Sequence, residues 1–271
     1  MKKLLSLIVL LVFAFGVTGC ASKGVTVEEI QARGKLVVAT NAEFPPFEYL
    51  EGTQIVGFDI ELAKAIAEAL GVTLEIKNMD FDSVIASVQS GAADIAIAGL
   101  TISEERLASV SFSDSYFDAS QVVIVKNDNT TITGTTIETL TSSLEGKRIG
   151  VQVGTVGQFF VAGDEGWGFD GIANATLLTY TSGILATEAL KNGQIDAVII
   201  DEMPARAFVQ NNTGTAIKIV GVPLTVEEYA IAIPKNSDDL VAFINSVLSE
   251  MKSDGRFDAI TLQFFGTGPT N

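Results

Sequence analysis

The sequence predicts an α/β protein of two lobes around a cleft, and three observations carry that prediction. Short β-branched runs alternate with segments of helical period. The alternation occurs twice, and between the two sets the composition shifts to a polar, threonine-rich stretch at 127–136. A last strand and two helices follow the second set, so the chain crosses between the units twice. Each lobe is expected to be a mostly parallel sheet flanked by helices. Ligands in such sheets sit beyond the carboxyl ends of the strands, and a site between two lobes is a natural cleft.

Taken in order, residues 35–39 form a buried strand. Residues 57–70 form a helix, because Ile60, Ala63, Ile66, Ala67 and Leu70 recur at helical spacing and Gly71 closes it. A strand at 73–78, a helix at 81–90 and a strand at 95–98 complete the first unit. Ser103 then caps a short helix through Leu107. An apolar run around Gln121 to Val125 precedes the polar stretch, and a lobe boundary is placed just before that stretch. The second unit reads as strand 148–152, a helix from Thr155, strand 176–180, helix 184–190, strand 197–200 and helix 204–210. Between its first two strands, the glycine-rich loop 163–171 carries the only tryptophan, Trp167, read as a loop anchor more than a binding platform. A final strand at 229–233 is followed by helices at 240–251 and 257–264.

The ends and the composition bound the function. Lys2 and Lys3, an apolar stretch from Leu4 to Val17 and small residues after it read as a secretory signal, since about 20 apolar residues are needed to span a bilayer. The sequence Val17-Thr18-Gly19-Cys20 resembles a bacterial lipobox, with Cys20 as the lipidated first residue. Residues 1–19 are therefore assigned as signal peptide and 20–34 as lipidated N-terminus and tether. Roughly 250 remaining residues suit one large or two medium domains. The chain has 33 acidic against 17 basic residues, a formal net charge of −16. Such a surface repels phosphates, so no nucleic-acid partner is expected. With no histidine and one cysteine, neither a zinc site nor a histidine general base is expected, and no cofactor is called for.

A series of ordered motifs then resembles a known family. Asn41-Ala-Glu-Phe-Pro-Pro-Phe47, Gly57-Phe-Asp59, Met79-Asp-Phe81, Ala98-Gly-Leu-Thr101, Glu105-Arg106 and Phe112-Ser-Asp114 are followed by Gly150-Val-Gln-Val-Gly-Thr155, Asp196-Ala-Val, Asp201 and Glu228-Tyr-Ala-Ile-Ala232. Their order and spacing resemble the polar amino-acid-binding proteins of bacterial ABC importers, the glutamine, arginine and lysine/arginine/ornithine binders. The resemblance implies the type II periplasmic-binding fold, with lobe 1 at 35–115 and 230–271, hinge segments at 116–120 and 225–229, and lobe 2 at 121–224. It also implies an extracytoplasmic monomer that closes about its hinge on a free amino acid and works with ABC permease subunits.

The chemistry of a free amino acid names the groups such a site needs. An α-carboxylate asks for a planar, bidentate donor, and guanidinium suits it better than ammonium. The resemblance assigns that role to Arg106, which taken alone beside Glu104 and Glu105 would read as a solvated helix charge. Backbone N–H groups near Thr101 and Thr155 can add donors. The α-ammonium asks for acceptors. Asp201 matches the family's aspartate and could also cap the following helix; the Gly99 carbonyl and Thr101 hydroxyl are the others. Phe44 and Phe81 match the aromatic walls, whereas Phe47 is read as core and Asp59 and Asp114 as structural.

Specificity is less determined. Many relatives carry Asp where this chain has Asn41; Glu43 could restore a carboxylate, and Gln152 could hydrogen-bond a polar tail. The competing reading leaves Glu43 and Gln152 at the solvated rim. Arginine, lysine or glutamine is the expected ligand class. Two alternatives stay open: a cyclohexadienyl dehydratase on the same fold, for which Glu43 would be the general acid, and an extracellular sensor module needing a separate signalling partner.

Overall fold

The structure, a computed structural model, describes residues 24–211 and 217–266. The expected leader and Cys20 lie outside the described residues. Two five-stranded sheets form the two lobes. In the first, Thr73–Asn78, Lys35–Thr40 and Ile95–Ala96 run parallel, and Ala232–Ile233 then Ser111–Phe112 close the edge with antiparallel pairings. In the second, Thr176–Tyr180, Arg148–Gln152 and Ala197–Asp201 are parallel. Gln121–Lys126 and Ile217–Val220 complete it antiparallel. In each sheet one strand runs against the rest, Ala232–Ile233 in the first and Gln121–Lys126 in the second, because the chain lays it down on entering from the other lobe. Ser111–Phe112 and Ile217–Val220 instead follow the helices Glu104–Ser109 and Glu202–Asn211 and run with the parallel set.

The helix Phe58–Leu70 starts at Gly57 for a steric reason. Its φ is 134°, and a Cβ there would sit 2.1 Å from the Phe47 carbonyl oxygen. Gly71 ends the same helix in the left-handed region, its N–H bonding the Ala67 and Glu68 carbonyls. The other predicted helices appear as Phe81–Gln89, Glu104–Ser109 capped by Ser103, Val156–Ala162, Gly183–Lys191, Glu202–Asn211, Asp238–Asp254 and Arg256–Phe265.

The two lobes are joined by a two-stranded ribbon, Phe117–Ala119 against Glu227–Tyr229. The strand expected at 229–233 is accordingly split. Tyr229 belongs to the ribbon, and only Ala232–Ile233 enters the first sheet. Between them, the Ala230 N–H bonds the Leu100 carbonyl and the Ser113 N–H bonds the Ile231 carbonyl, so the chain is handed from one ladder to the next. Beneath the ribbon lies an aromatic cluster. Phe47 meets Phe58, Phe117, Tyr229 and Phe265 at centroid separations of 4.9–6.3 Å, which confirms Phe47 as core.

Besides the edge strands Ser111–Phe112 and Ile217–Val220, three further features were not expected. A small meander, Glu43–Phe44, Glu48–Glu51 and Gln54–Val56, carries the aromatic-rich motif that follows the first strand. The helix Ile137–Leu144 follows the threonine-rich stretch, capped by Thr136. The third corrects the assignment of 20–34 as tether: Val27–Arg33 is a helix with Ile30 fully buried. The sequence held a local sign of it, the capping box of Thr26 and Glu29. Ser237 also accepts from the Val25 N–H, tying this segment to the return chain.

If that helix is part of the first lobe, Ile30→Ala should lower the unfolding free energy by about 2–5 kcal/mol, as other buried truncations do. Urea denaturation of the ligand-free protein measures it, and no change in midpoint would return the segment to a tether.

Candidate functional site

The carboxyl ends of both sheets face one another, and the loops that leave them line one cavity. Its walls are Phe44, Phe81, Gly99, Thr101, Arg106, Gln152, Thr155, Val156 and Asp201. Eight of the ten residues singled out from the sequence are therefore brought together. Val156 is the addition, placed there by its position one residue past Thr155, which begins the Val156–Ala162 helix.

The other two candidates do not line the cavity. On the short strand Glu43–Phe44 successive side chains alternate, so with Phe44 turned inward Glu43 takes the opposite face. Asn41 lies behind the wall. Its amide nitrogen donates to the Met79 carbonyl at 2.9 Å, and its oxygen accepts from Gln152 Nε2 at 3.0 Å. Gln152 donates from the same nitrogen to the Thr181 carbonyl. A neutral amide pair thus spans the lobes.

Arg106 occupies the other end. It is buried, projecting from the Glu104–Ser109 helix. One guanidinium nitrogen donates to the Thr101 carbonyl at 2.8 Å and another to the Gly154 carbonyl of the second lobe at 3.1 Å. Its Cζ lies 5.6 Å from the Phe81 ring centroid, within the range of a cation–π contact. Burial lowers its pKa to about 10, and Glu227, Asp201 and Glu105 act against that fall. At neutral pH the group remains a cation with further N–H donors to offer.

Gly99 and Thr101 leave the first sheet together. Gly99 has φ 53°, and a Cβ there would meet the Phe44 ring at 2.8 Å, so the close approach of backbone to wall needs glycine. The Gly99 N–H is held by Asp59, whose carboxylate also accepts from Tyr116 Oη, both at 2.9 Å. Burial raises the Asp59 pKa to about 6. Beside it, Glu48 is wholly buried with no N–H or O–H donor on either oxygen. Burial, then the charge of Asp59, raises its pKa well above the carboxylate range. Asp59 is structural, as expected, and what it supports is the cavity wall.

Asp201 ends the buried strand Ala197–Asp201 and accepts from Tyr229 Oη of the ribbon. Glu227, also on the ribbon, accepts from Thr101 Oγ1 at 2.7 Å, from Thr225 Oγ1, and from Gln121 Nε2 at 3.1 Å. Having given its proton to Glu227, the Thr101 hydroxyl keeps lone pairs to accept from a ligand. Burial first and the neighbouring Glu227 second push the Asp201 carboxyl far above its usual range. Glu227 and Tyr229 escaped sequence reasoning: a Glu-Glu-Tyr run before a strand reads as solvated charge until the ribbon buries it. Asp114 has no part in the site; its N–H bonds Asn245 on the outer helix.

Two α/β lobes, a connecting ribbon and a cavity with a cation at one end and a carboxylate at the other define a type II periplasmic-binding-protein fold with an interlobe site. The chain belongs to the bacterial extracellular solute-binding proteins, family 3, matched over residues 36–267. It is 32% identical over 268 residues to the arginine-binding extracellular protein ArtP of Bacillus subtilis, covering 98% of each chain. It is 30% identical to the ABC transporter glutamine-binding protein GlnH of the same organism, covering 99% of each. Among solved structures, a mutant of ArgBP from T. maritima superposes with a TM-score of 0.80 at 40% identity, covering 89% of this chain and 99% of that one.

The raised Asp201 pKa fixes a sign. A carboxyl whose folded pKa exceeds its unfolded value favours the fold when protonated, so its contribution is present at low pH and lost as pH rises through the folded pKa. Asp201→Asn should therefore raise the melting temperature of the ligand-free protein by several degrees near pH 8 and change it little near pH 5. Calorimetric scans at both values measure it, and a variant less stable than wild type at pH 8 would contradict the assignment.

Proposed function

We propose that this chain is the extracytoplasmic solute-binding lipoprotein of an ABC importer, holding a free L-amino acid with a basic or amide side chain between its lobes. One observation carries the reading: Arg106 and Asp201 face the same cavity from different lobes, with Phe44 and Phe81 as apolar walls. Arg106 supplies planar donors for an α-carboxylate, and Asp201, the Gly99 carbonyl and Thr101 supply acceptors for an α-ammonium. The ligand's two charges meet their partners only when the lobes are together, so binding favours the closed arrangement by differential affinity. The ribbon strands Phe117–Ala119 and Glu227–Tyr229 are the hinge in this account.

The side-chain end is built from Gln152, hydrogen-bonded to Asn41 behind it. Its carbonyl suits a guanidinium, an ammonium or an amide donor alike, which supports arginine, lysine or glutamine as ligand. Relatives named for arginine and for glutamine agree with that range. Lipidation of Cys20 would tether the protein at the outer face of the cytoplasmic membrane, where the closed monomer delivers its ligand to the permease.

Thermal shift of the protein from Ser22 onward against the common L-amino acids tests the class. A micromolar ligand in millimolar excess should add about 4 kcal/mol of stability. Arg106→Lys should weaken the responding ligand by about 30- to 100-fold, since one bidentate charge-assisted pair is lost. Silence across the whole panel would overturn the reading.

A further inference from the structure

The lone tryptophan stands outside the cavity, yet it joins the two lobes at the residue on which the cavity depends. Trp167 sits in the turn Glu165–Trp167, which Asp164 fixes by accepting from the Gly166 N–H at 2.9 Å and the Trp167 N–H at 3.3 Å. Its ring stacks on Phe159 of the Val156–Ala162 helix, centroids 4.9 Å apart and planes 12° from parallel. Both anchors belong to the second lobe. From that platform the indole reaches the first lobe twice. Nε1–H donates to the Glu105 carboxylate, and the Arg106 guanidinium lies over the indole with Cζ 5.2 Å from its centroid.

Arg106 is thus contacted by the Phe81 ring of its own lobe and the Trp167 ring of the other. Stacking on aromatic faces holds a guanidinium's plane, which matters for a group that must present a fork of donors. Glu105 is an exposed side chain that would otherwise be a solvated helix charge. The indole N–H gives it a partner that exists only while the lobes are together.

From this geometry we infer that Trp167 is a positioning residue, a latch that locks the second lobe onto Glu105 and Arg106 and so sets how long the cleft retains its ligand. The inference rests on the reading of the cleft as an amino-acid site. Since Trp167 does not line the cavity, the latch forms after the ligand enters and acts on dissociation rather than on capture.

The test measures association and dissociation of radiolabelled L-arginine and L-glutamine with wild type, Trp167→Ala, Trp167→Phe and Glu105→Ala. Trp167→Ala should speed dissociation about tenfold while association changes less than about twofold, the pattern of a contact made after encounter. Trp167→Phe keeps the ring and loses the N–H donor, so it should fall between. Glu105→Ala, a change at an exposed side chain that removes the acceptor, should also speed dissociation. Added to Trp167→Phe it should have no further effect, because both remove the same bond. With a single indole in the chain, wild-type emission should shift on binding and Glu105→Ala should blunt that shift. Unchanged dissociation in Trp167→Ala and Glu105→Ala, with wild type still binding, would overturn the latch alone. A wild type that binds neither amino acid would overturn the site reading and the latch with it.

Discussion

Two carboxylates, Asp201 and Glu227, are buried at the junction of the lobes within the field of one buried cation, Arg106. Charges taken out of water are costly unless they are paired and hydrogen-bonded. Here the hydrogen bonds come from the ribbon and its neighbours: Tyr229 to Asp201, and Thr101, Thr225 and Gln121 to Glu227. That network holds both acids in place. A ligand that brings an ammonium to Asp201 and a carboxylate to Arg106 completes the pairing. In the proposed reading the site is an electrostatic deficit that a zwitterion fits.

The fold exists around this deficit. Each acid must come from a different part of the chain, Asp201 from the end of a second-lobe strand and Glu227 from the returning ribbon. The return crossing delivers Tyr229 as well, which serves the aromatic cluster with its ring and Asp201 with its hydroxyl. On the first-lobe side a second buried acid pair performs a quieter task. Asp59, beside buried Glu48, accepts from the Gly99 N–H, so the backbone that faces the cavity is fixed by a side chain outside it. Both halves of the site rest on buried polar groups rather than on apolar packing alone.

Much of this was legible in the sequence, and the parts that were not share a cause. The 2.0 and 3.6 periodicities gave the parallel strands and crossover helices, since burial on one face leaves a local record. Arg106, Asp201 and the aromatic walls were placed by their motifs. What failed was whatever depends on contacts distant in sequence. The strand expected at 229–233 is two pieces because its partner changes from Phe117 to Phe112, and no local pattern marks that exchange. Glu43 was favoured for its charge, but strand alternation beside Phe44 turns it away. Glu227 was passed over because burial of an acidic run is decided by the ribbon it pairs with. The helix at Val27–Arg33 differs: its capping box was readable and was overlooked in favour of a tether.

Proton linkage measures the electrostatic deficit directly. In the free protein burial and Glu227 keep Asp201 partly protonated near pH 6.5, whereas an ammonium beside it favours the ionised form. Titration calorimetry of L-arginine binding at that pH, in buffers of different ionisation enthalpy, should show protons released on binding, up to about one per ligand. Asp201→Asn should abolish the release. A binding heat independent of the buffer, or a net uptake of protons, would contradict the pairing of Asp201 with the ligand's ammonium and with it the account of the site.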